Sequence, residues 1–236
     1  MTQQMSDLVD QAIRSRHSVR AFTNQMVEVQ TLKDILHVAS RAPSGTNTQP
    51  WKVYVKKKKK RDEIVEHVCH AQLELFQHPE KAAQYQETFA YYPENWISPY
   101  IDRRRENGWG LYGLLNIQKN EKSKMAQQQL RNFQLFDAPV GLFFTVNKVM
   151  GIGSKMDIAM MMQNVMVAAK ARGLDTCPQA AWNHFHSIVL GILGASSDEE
   201  LVGAIALGYA DPEHIVNSFI TPRVPVDEFA VFLTDE

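Results

Sequence analysis

The chain is poor in the residues that announce many kinds of chemistry. It has two cysteines in 236 residues, Cys69 and Cys177. That excludes a disulfide framework, and their separation gives no metal-ligand spacing. No G-x-S-x-G elbow and no C-x-x-C pair occurs. The net charge of −1 excludes a global field that would draw the protein onto nucleic acid or a membrane. Long hydrophobic runs are missing too. IAMMM, VMVAA and VGLFF fall far short of the roughly 18 apolar residues of a membrane helix. MTQQMSDLVDQ lacks a basic segment followed by an apolar run, so it does not read as a secretory signal. A soluble, cytoplasmic protein is expected.

What is present is a well-mixed chain with 44% hydrophobic residues, enough for one sizeable core. Residues 6–15 read as a short helix with Ser6 as its cap. Residues 30–41, QTLKDILHVASR, have apolar residues at helical spacing and should stop before Pro43. WKVYV reads as a strand, and the lysine-rich stretch after it as a helix. Residues 78–110 show no clean period. A helix is expected over 121–136, a strand at VGLFFTV and a long helix over 156–172. LDTCPQAAW reads as a loop, HFHSIVLGILG as a short helix ending on glycine, and LVGAIALGY and FAVFL as strands. With no repeat and no long linker, residues 1–236 read as one α+β domain with a sheet of four to five strands.

The helix over 156–172 is apolar nearly all round, which predicts burial on every side. Its methionines suit a central core helix or an adaptable subunit contact, and both readings stand together.

Some patterns mislead. GWGLYG at 108–113 matches G-x-G-x-x-G, but it follows DRRREN rather than a strand, so it is no dinucleotide motif. The basic run from Lys56 to Arg61 leads straight into Asp62, Glu63 and Glu66, and reads as a solvated helix face rather than a nucleic-acid patch. His67 and His70, and His184 and His186, lack a third ligand at useful spacing.

Three polar segments remain. RSRHSVR packs Arg16, His17, Ser18 and Arg20 together, and guanidinium forks with a hydroxyl suit a phosphate. RAPSGTNTQPW is a polar, flexible loop before a strand. TPRVPVDEF holds Arg223 near two prolines that fix its backbone.

RHSVRAF, APSGTNTQPW, MQNVMVAAKARGLDTCPQ, GYAD and PRVPVDEF, in this order, resemble the FMN-dependent nitroreductase family. The resemblance implies an α+β fold with a mostly antiparallel sheet flanked by helices, in an intertwined homodimer with two FMN at the subunit interface. It implies that Arg16, His17, Ser18, Arg20 and Arg223 hold the FMN phosphate and ribityl end. It implies that Pro43, Ser44 and Asn47 approach the flavin of the neighbouring subunit, while Gln49 and Trp51 lock that loop to the sheet. Pro178, Gln179 and Ala180 match a segment whose backbone N–H groups face the flavin, and Asn132 matches a polar contact to its pyrimidine. Thr221 stands where some members carry a second phosphate-binding lysine, and Ala180 and Ala181 where related sequences often have glycine or serine. The implied activity is hydride transfer from NADH or NADPH, through FMN, to a flat acceptor such as a nitroaromatic or quinone, with no acid or base side chain. Phe89, Tyr91, Tyr92, Trp96, Tyr100, Trp109 and Tyr112 are candidates to line the acceptor pocket or to fill core. Dehalogenation, enoate reduction or flavin breakdown on the same scaffold, and a flavin store without turnover, are the competing expectations.

Overall fold

The computed structural model describes residues 2–57 and 59–233. Two apolar runs organise it. VGLFFTV forms β2 (Val140–Asn147) and LVGAIALG lies in β4 (Glu199–Gly208). They pair antiparallel, with Phe143 opposite Ala204. β1 (Lys52–Lys57) pairs with the outer edge of β2, and β3 (Asp175–Gln179) with the outer edge of β4. The order is β1-β2-β4-β3, and each neighbouring pair is antiparallel.

Both central strands are covered on both faces, which explains why they read as continuous apolar runs rather than alternating ones. On one face Phe143 meets Trp182 edge-on, with ring centroids 5.3 Å apart. That core takes in Val68 of α3 (Lys59–Gln77), Phe133 of α5 (Lys122–Phe133) and Val189 of α7 (His186–Leu193). On the other face Leu142 and Phe144 pack with Ile35 of α2 (Val29–Ala39) and with Ile158 and Val165 of α6 (Ile152–Lys170). α7 ends where expected, because Gly194 takes the left-handed conformation (φ 66) that closes a helix without a Cβ penalty.

Several expectations are corrected. α1 runs Thr2–Ser15, so Ser6 lies inside the helix and does not cap it. DTCPQ is a strand, not a loop. Pro178 is tolerated because β3 is the sheet's edge. FAVFL is not a strand. α8 (Val226–Phe229) takes its first residue, and Val231, Phe232 and Leu233 are exposed with no strand beside them. α5 stops at Phe133, since Leu135, Phe136 and Asp137 adopt left-handed φ. α6 is not buried all round: Ile152, Met156 and Met160 face outward.

The aperiodic stretch runs into α4 (Tyr100–Leu114), and GWGLYG lies within that helix. Lys58 lies outside the described residues. Within the same basic run, Lys57 donates to the Val27 carbonyl and Arg61 to the Ala138 carbonyl, so two of its cations tie elements together rather than face water. Among the described residues no cluster of His, Cys, Asp and Glu could hold a metal ion. Among the described residues no helix is long and apolar enough to cross a membrane.

Candidate functional site

After α1 the chain turns along the free edge of β3. Ser18 pairs in parallel with Thr176, and the Val19 amide donates to the Thr176 carbonyl at 3.1 Å. In extended backbone neighbouring side chains point to opposite sides. Val19 and Ala21 go into the core, so Ser18 and Arg20 are left on the other side. This alternation lays the RSRHSVR segment against β3 with Ser18 and Arg20 opposite the buried Val19 and Ala21.

The cations then converge. Burial pushes the Cys177 thiol up to about 11, while Arg20, a hydrogen bond to Ser18 and Arg16 act against that rise, so these groups lie near the sulfur. Arg20 Nη1 donates back to the Ser18 carbonyl at 3.2 Å. Burial holds Arg16 below its ordinary value, and the nearby charge of Arg223 lowers it further. Arg16 and Arg223 therefore share one region, although 207 residues separate them in sequence (223 − 16). Among the described residues, none of Arg16, Arg20 and Arg223 forms an ion pair with a carboxylate. Like charges held together without a counter-ion are unfavourable, and an anion relieves that cost. His17 Nε2 and Thr176 Oγ1 are buried with no hydrogen-bond partner. Such orphaned groups cost free energy unless something meets them. A phosphate monoester with hydroxyls beside it has the charge and the acceptors that this donor set requires.

Arg223 Nη1 donates to the Thr221 carbonyl, to Thr221 Oγ1 and to the Pro222 carbonyl at 2.8–3.1 Å. Thr221 does not replace a lysine charge, but its hydroxyl helps fix the remaining guanidinium.

The loop of Pro43, Ser44 and Asn47 is not joined to this cluster. Ser44 Oγ accepts from the Gln49 amide at 3.0 Å, and the Gly45 amide donates to Asp157 on α6 at 3.3 Å. Thr46, Asn47 and Gln49 all have positive φ, a strained arrangement for residues with a Cβ. Pro43 and Asn47 are exposed and Ser44 is half-buried. Trp51 packs on the core between sheet and α6 as expected. Gln49 instead bonds the Asn47 carbonyl, tying the loop to itself.

The 178–180 segment needs a correction. Pro178 has no N–H to donate. The Thr176 carbonyl faces outward to Val19, so alternation turns the Gln179 amide inward, where Gln179 pairs with Ala204. The Gln179 side chain is also committed. It donates to the Asn132 carbonyl at 2.6 Å and accepts from Trp182 Nε1 at 3.2 Å. Of the three residues, Ala180 is the one that the alternation leaves with an outward amide. Asn132 is thereby brought beside Gln179 through its carbonyl, while its side chain donates to the Gln129 carbonyl at 3.2 Å.

Two contacts had no sequence signal. Asn217 bridges the C-terminal turn to Arg20 and Ala21. Phe89 lies under Lys155, which is 4.5 Å from its ring centroid and paired with Glu200 at 2.9 Å. The aromatic stretch is largely open: Tyr91, Tyr92, Tyr100 and Trp109 are exposed, and a cavity of about 460 Å³ lies among residues 91–100.

The sequence profile of the Nitroreductase family matches residues 13–209. The chain belongs to the nitroreductase family. It is 34% identical to the chloronitrobenzene nitroreductase of Comamonas testosteroni over 97% of this chain and 98% of that one. It is 32% identical to the 4-nitrobenzoate reductase of Pseudomonas putida, over 97% of each. Among solved structures, the FMN- and NADPH-dependent nitroreductase NfnB of Sphigopyxis sp. strain HMH superposes with a TM-score of 0.89 at 33% identity, over 96% of this chain and 99% of that one. The FMN-dependent NfnB of Mycobacterium smegmatis, solved with NADPH, gives 0.90 at 26% identity, over 98% and 100%. The nitroreductase fold explains the mixed helices and antiparallel sheet of this family member.

Proposed function

We propose that the protein is an FMN-dependent oxidoreductase that moves reducing equivalents from NADH or NADPH to a nitroaromatic. The observation that carries this is the group of guanidinia without a carboxylate partner among the described residues, Arg16, Arg20 and Arg223, beside the orphaned His17 Nε2. It is a phosphate receptor on a chain closely related to FMN-dependent nitroreductases.

When bound, FMN supplies the redox chemistry, taking a hydride from the nicotinamide and giving electrons to the acceptor. The protein's residues do the rest. Arg16, Arg20 and Arg223 neutralise the phosphate, and His17 Nε2 and Ser18 meet the adjoining oxygens. Ala180 offers an outward amide to the flavin ring. Gln179 does not touch the ring but holds the strand end by its two side-chain bonds. No side chain has to act as acid or base, and positioning with water exclusion carries the protein's share.

The working form is a homodimer. The exposed 43–47 loop, with its strained backbone, is placed on the partner's flavin, and the apolar faces of α1 and α6 are covered in the assembly. The cytoplasm, where reduced nicotinamides are available, is its compartment.

The test is anaerobic. FMN-loaded protein should lose its yellow colour with NADPH or NADH and regain it when 4-nitrobenzoate is added. Colour that persists through both donors points to a flavin store. Reoxidation by a quinone, an enone or a halogenated phenol but not by nitroaromatics assigns the scaffold to another reduction.

A further inference from the structure

A short strap of chain, residues 85–89, lies across the turn that follows Ala180. The turn is Ala181–Phe185, and α7 begins directly after it. Strap and turn run in opposite directions. Tyr85 meets Phe185 with ring centroids 5.0 Å apart. Glu87 lies 3.3 Å from His184 Nε2. Thr88 Oγ1 donates to Asn183 Oδ1 at 3.0 Å. Phe89 then reaches α6, where Lys155 Nζ is 4.5 Å from its ring centroid.

These contacts do not weigh equally. The His184 side chain is half exposed, and an ion pair of that kind contributes little. The Thr88–Asn183 bond is different. Asn183 is only 1% exposed, although Thr88 above it is open to solvent. Its Nδ2 is buried without a hydrogen-bond partner. An apolar side chain would fill the same place without that cost, so core filling does not account for an asparagine here. What the side chain adds is an acceptor for Thr88. The Asn183 amide, in turn, donates to the Ala180 carbonyl at 3.0 Å. One residue thus joins the strap to the residue whose own amide is proposed to face the flavin.

Beyond the strap comes the aromatic stretch, with its cavity of about 460 Å³ among residues 91–100. This stretch leans on α4, where Arg104 Cζ lies 4.7 Å from the Trp96 ring centroid. No residue of α4 is buried, so the region has little core of its own to hold it. Its position is then set from its ends. We infer that Thr88 and Asn183 are positioning residues for the electron acceptor: their hydrogen bond fixes the aromatic stretch, as one wall of the acceptor pocket, relative to Ala180. The inference rests on the proposed reduction of nitroaromatics through FMN. A nicotinamide dinucleotide is held by much more than its reacting ring, whereas a nitroaromatic has only its ring and substituents. A displaced wall therefore weakens the acceptor and spares the donor.

The test separates the two halves of turnover by anaerobic stopped flow on the FMN-loaded protein. Thr88→Val keeps the side-chain shape and removes the hydroxyl, and Thr88→Ser keeps the hydroxyl. In Thr88→Val the 4-nitrobenzoate concentration for half-maximal reoxidation should rise about 5-fold, the scale of one hydrogen bond. The limiting rate, bleaching by NADPH and FMN content should not change, and Thr88→Ser should match the parent. Thr88 is exposed, so neither substitution should move the urea midpoint by much. Parent-like half-saturation in Thr88→Val, an equal loss in bleaching and reoxidation, or a Thr88→Ser protein as impaired as Thr88→Val overturns the inference. A parent protein that neither NADPH nor NADH bleaches, or that 4-nitrobenzoate does not reoxidise, overturns the proposed activity itself and this inference with it.

Discussion

The side chain of Asn217 grips the peptide of Ala21 from both sides. Its Oδ1 accepts from the Ala21 amide at 3.1 Å, and its Nδ2 donates to the Ala21 carbonyl at 2.8 Å. The same oxygen accepts from the Arg20 amide at 2.9 Å, and the same nitrogen donates to the Asp211 carbonyl at 2.9 Å. One amide thus fixes the backbone from which Arg20 projects, and joins it to the chain that goes on to deliver Arg223.

Asn217→Ala should therefore act on stability and cofactor together. It leaves buried peptide groups unmet, at a cost of about 1–3 kcal/mol, and it releases Arg20. Urea unfolding should show the loss, and FMN titration of the apo-protein should show weaker binding. Asn217→Asp, which keeps the acceptor and loses the donor, should lie between. Parent-like stability with parent-like FMN affinity would show that the clamp has no role.

Glu199 predicts an acid limit. Burial raises its pKa, but Lys52, Thr145, the Ser196 amide and Tyr54 outweigh burial and hold it at about 2, against an ordinary 4.5. Because the folded value is depressed, the stabilisation is present above the ordinary value and drains away as pH falls from about 4.5 toward 2. The shift corresponds to something on the order of 3 kcal/mol. Glu199→Gln should be less stable at neutral pH and should flatten this part of the profile. Urea midpoints for both proteins between about pH 7 and pH 2 measure it. Parallel profiles would contradict the assignment.

Two apolar stripes predict the assembly. Met5, Leu8, Val9 and Ile13 of α1 are 48–67% exposed, and Ile152, Met156 and Met160 of α6 are 39–70% exposed. Both sets follow helical spacing. Sedimentation should show a dimer, and Met156→Glu with Met160→Glu should shift it to a monomer that loses FMN, because the 43–47 loop is proposed to serve the partner's site. A monomeric parent carrying full FMN would contradict this.

The parts of the fold legible in the sequence were those where one physical demand dominates. VGLFFTV and LVGAIALG read as strands from their apolar runs, and the fold makes them the central pair, covered on both faces. Arg16, Arg20 and Arg223 stood out because so much cationic hydrogen-bonding capacity in short polar segments suits an anion. DTCPQ was illegible because a proline is admissible on an edge, and only the fold creates that edge. α4 shows no period because it exposes most of its surface and carries a glycine, Gly110, where the Phe219 ring closes in. Asn217 is a single asparagine whose partners lie up to 197 residues away, so nothing local marks it.

The most direct test of the central claim, that the arginine cluster is a phosphate receptor, is a fluorescence titration of the apo-protein with FMN and with riboflavin, which differ by the phosphate. Each charge-assisted bond at such a site contributes roughly 1.5–3 kcal/mol. FMN should therefore bind at least about 100-fold more tightly than riboflavin, and Arg20→Ala should weaken FMN about 10- to 150-fold while leaving riboflavin nearly unchanged. Equal affinity for the two flavins, or an Arg20→Ala effect of the same size on both, would contradict the account.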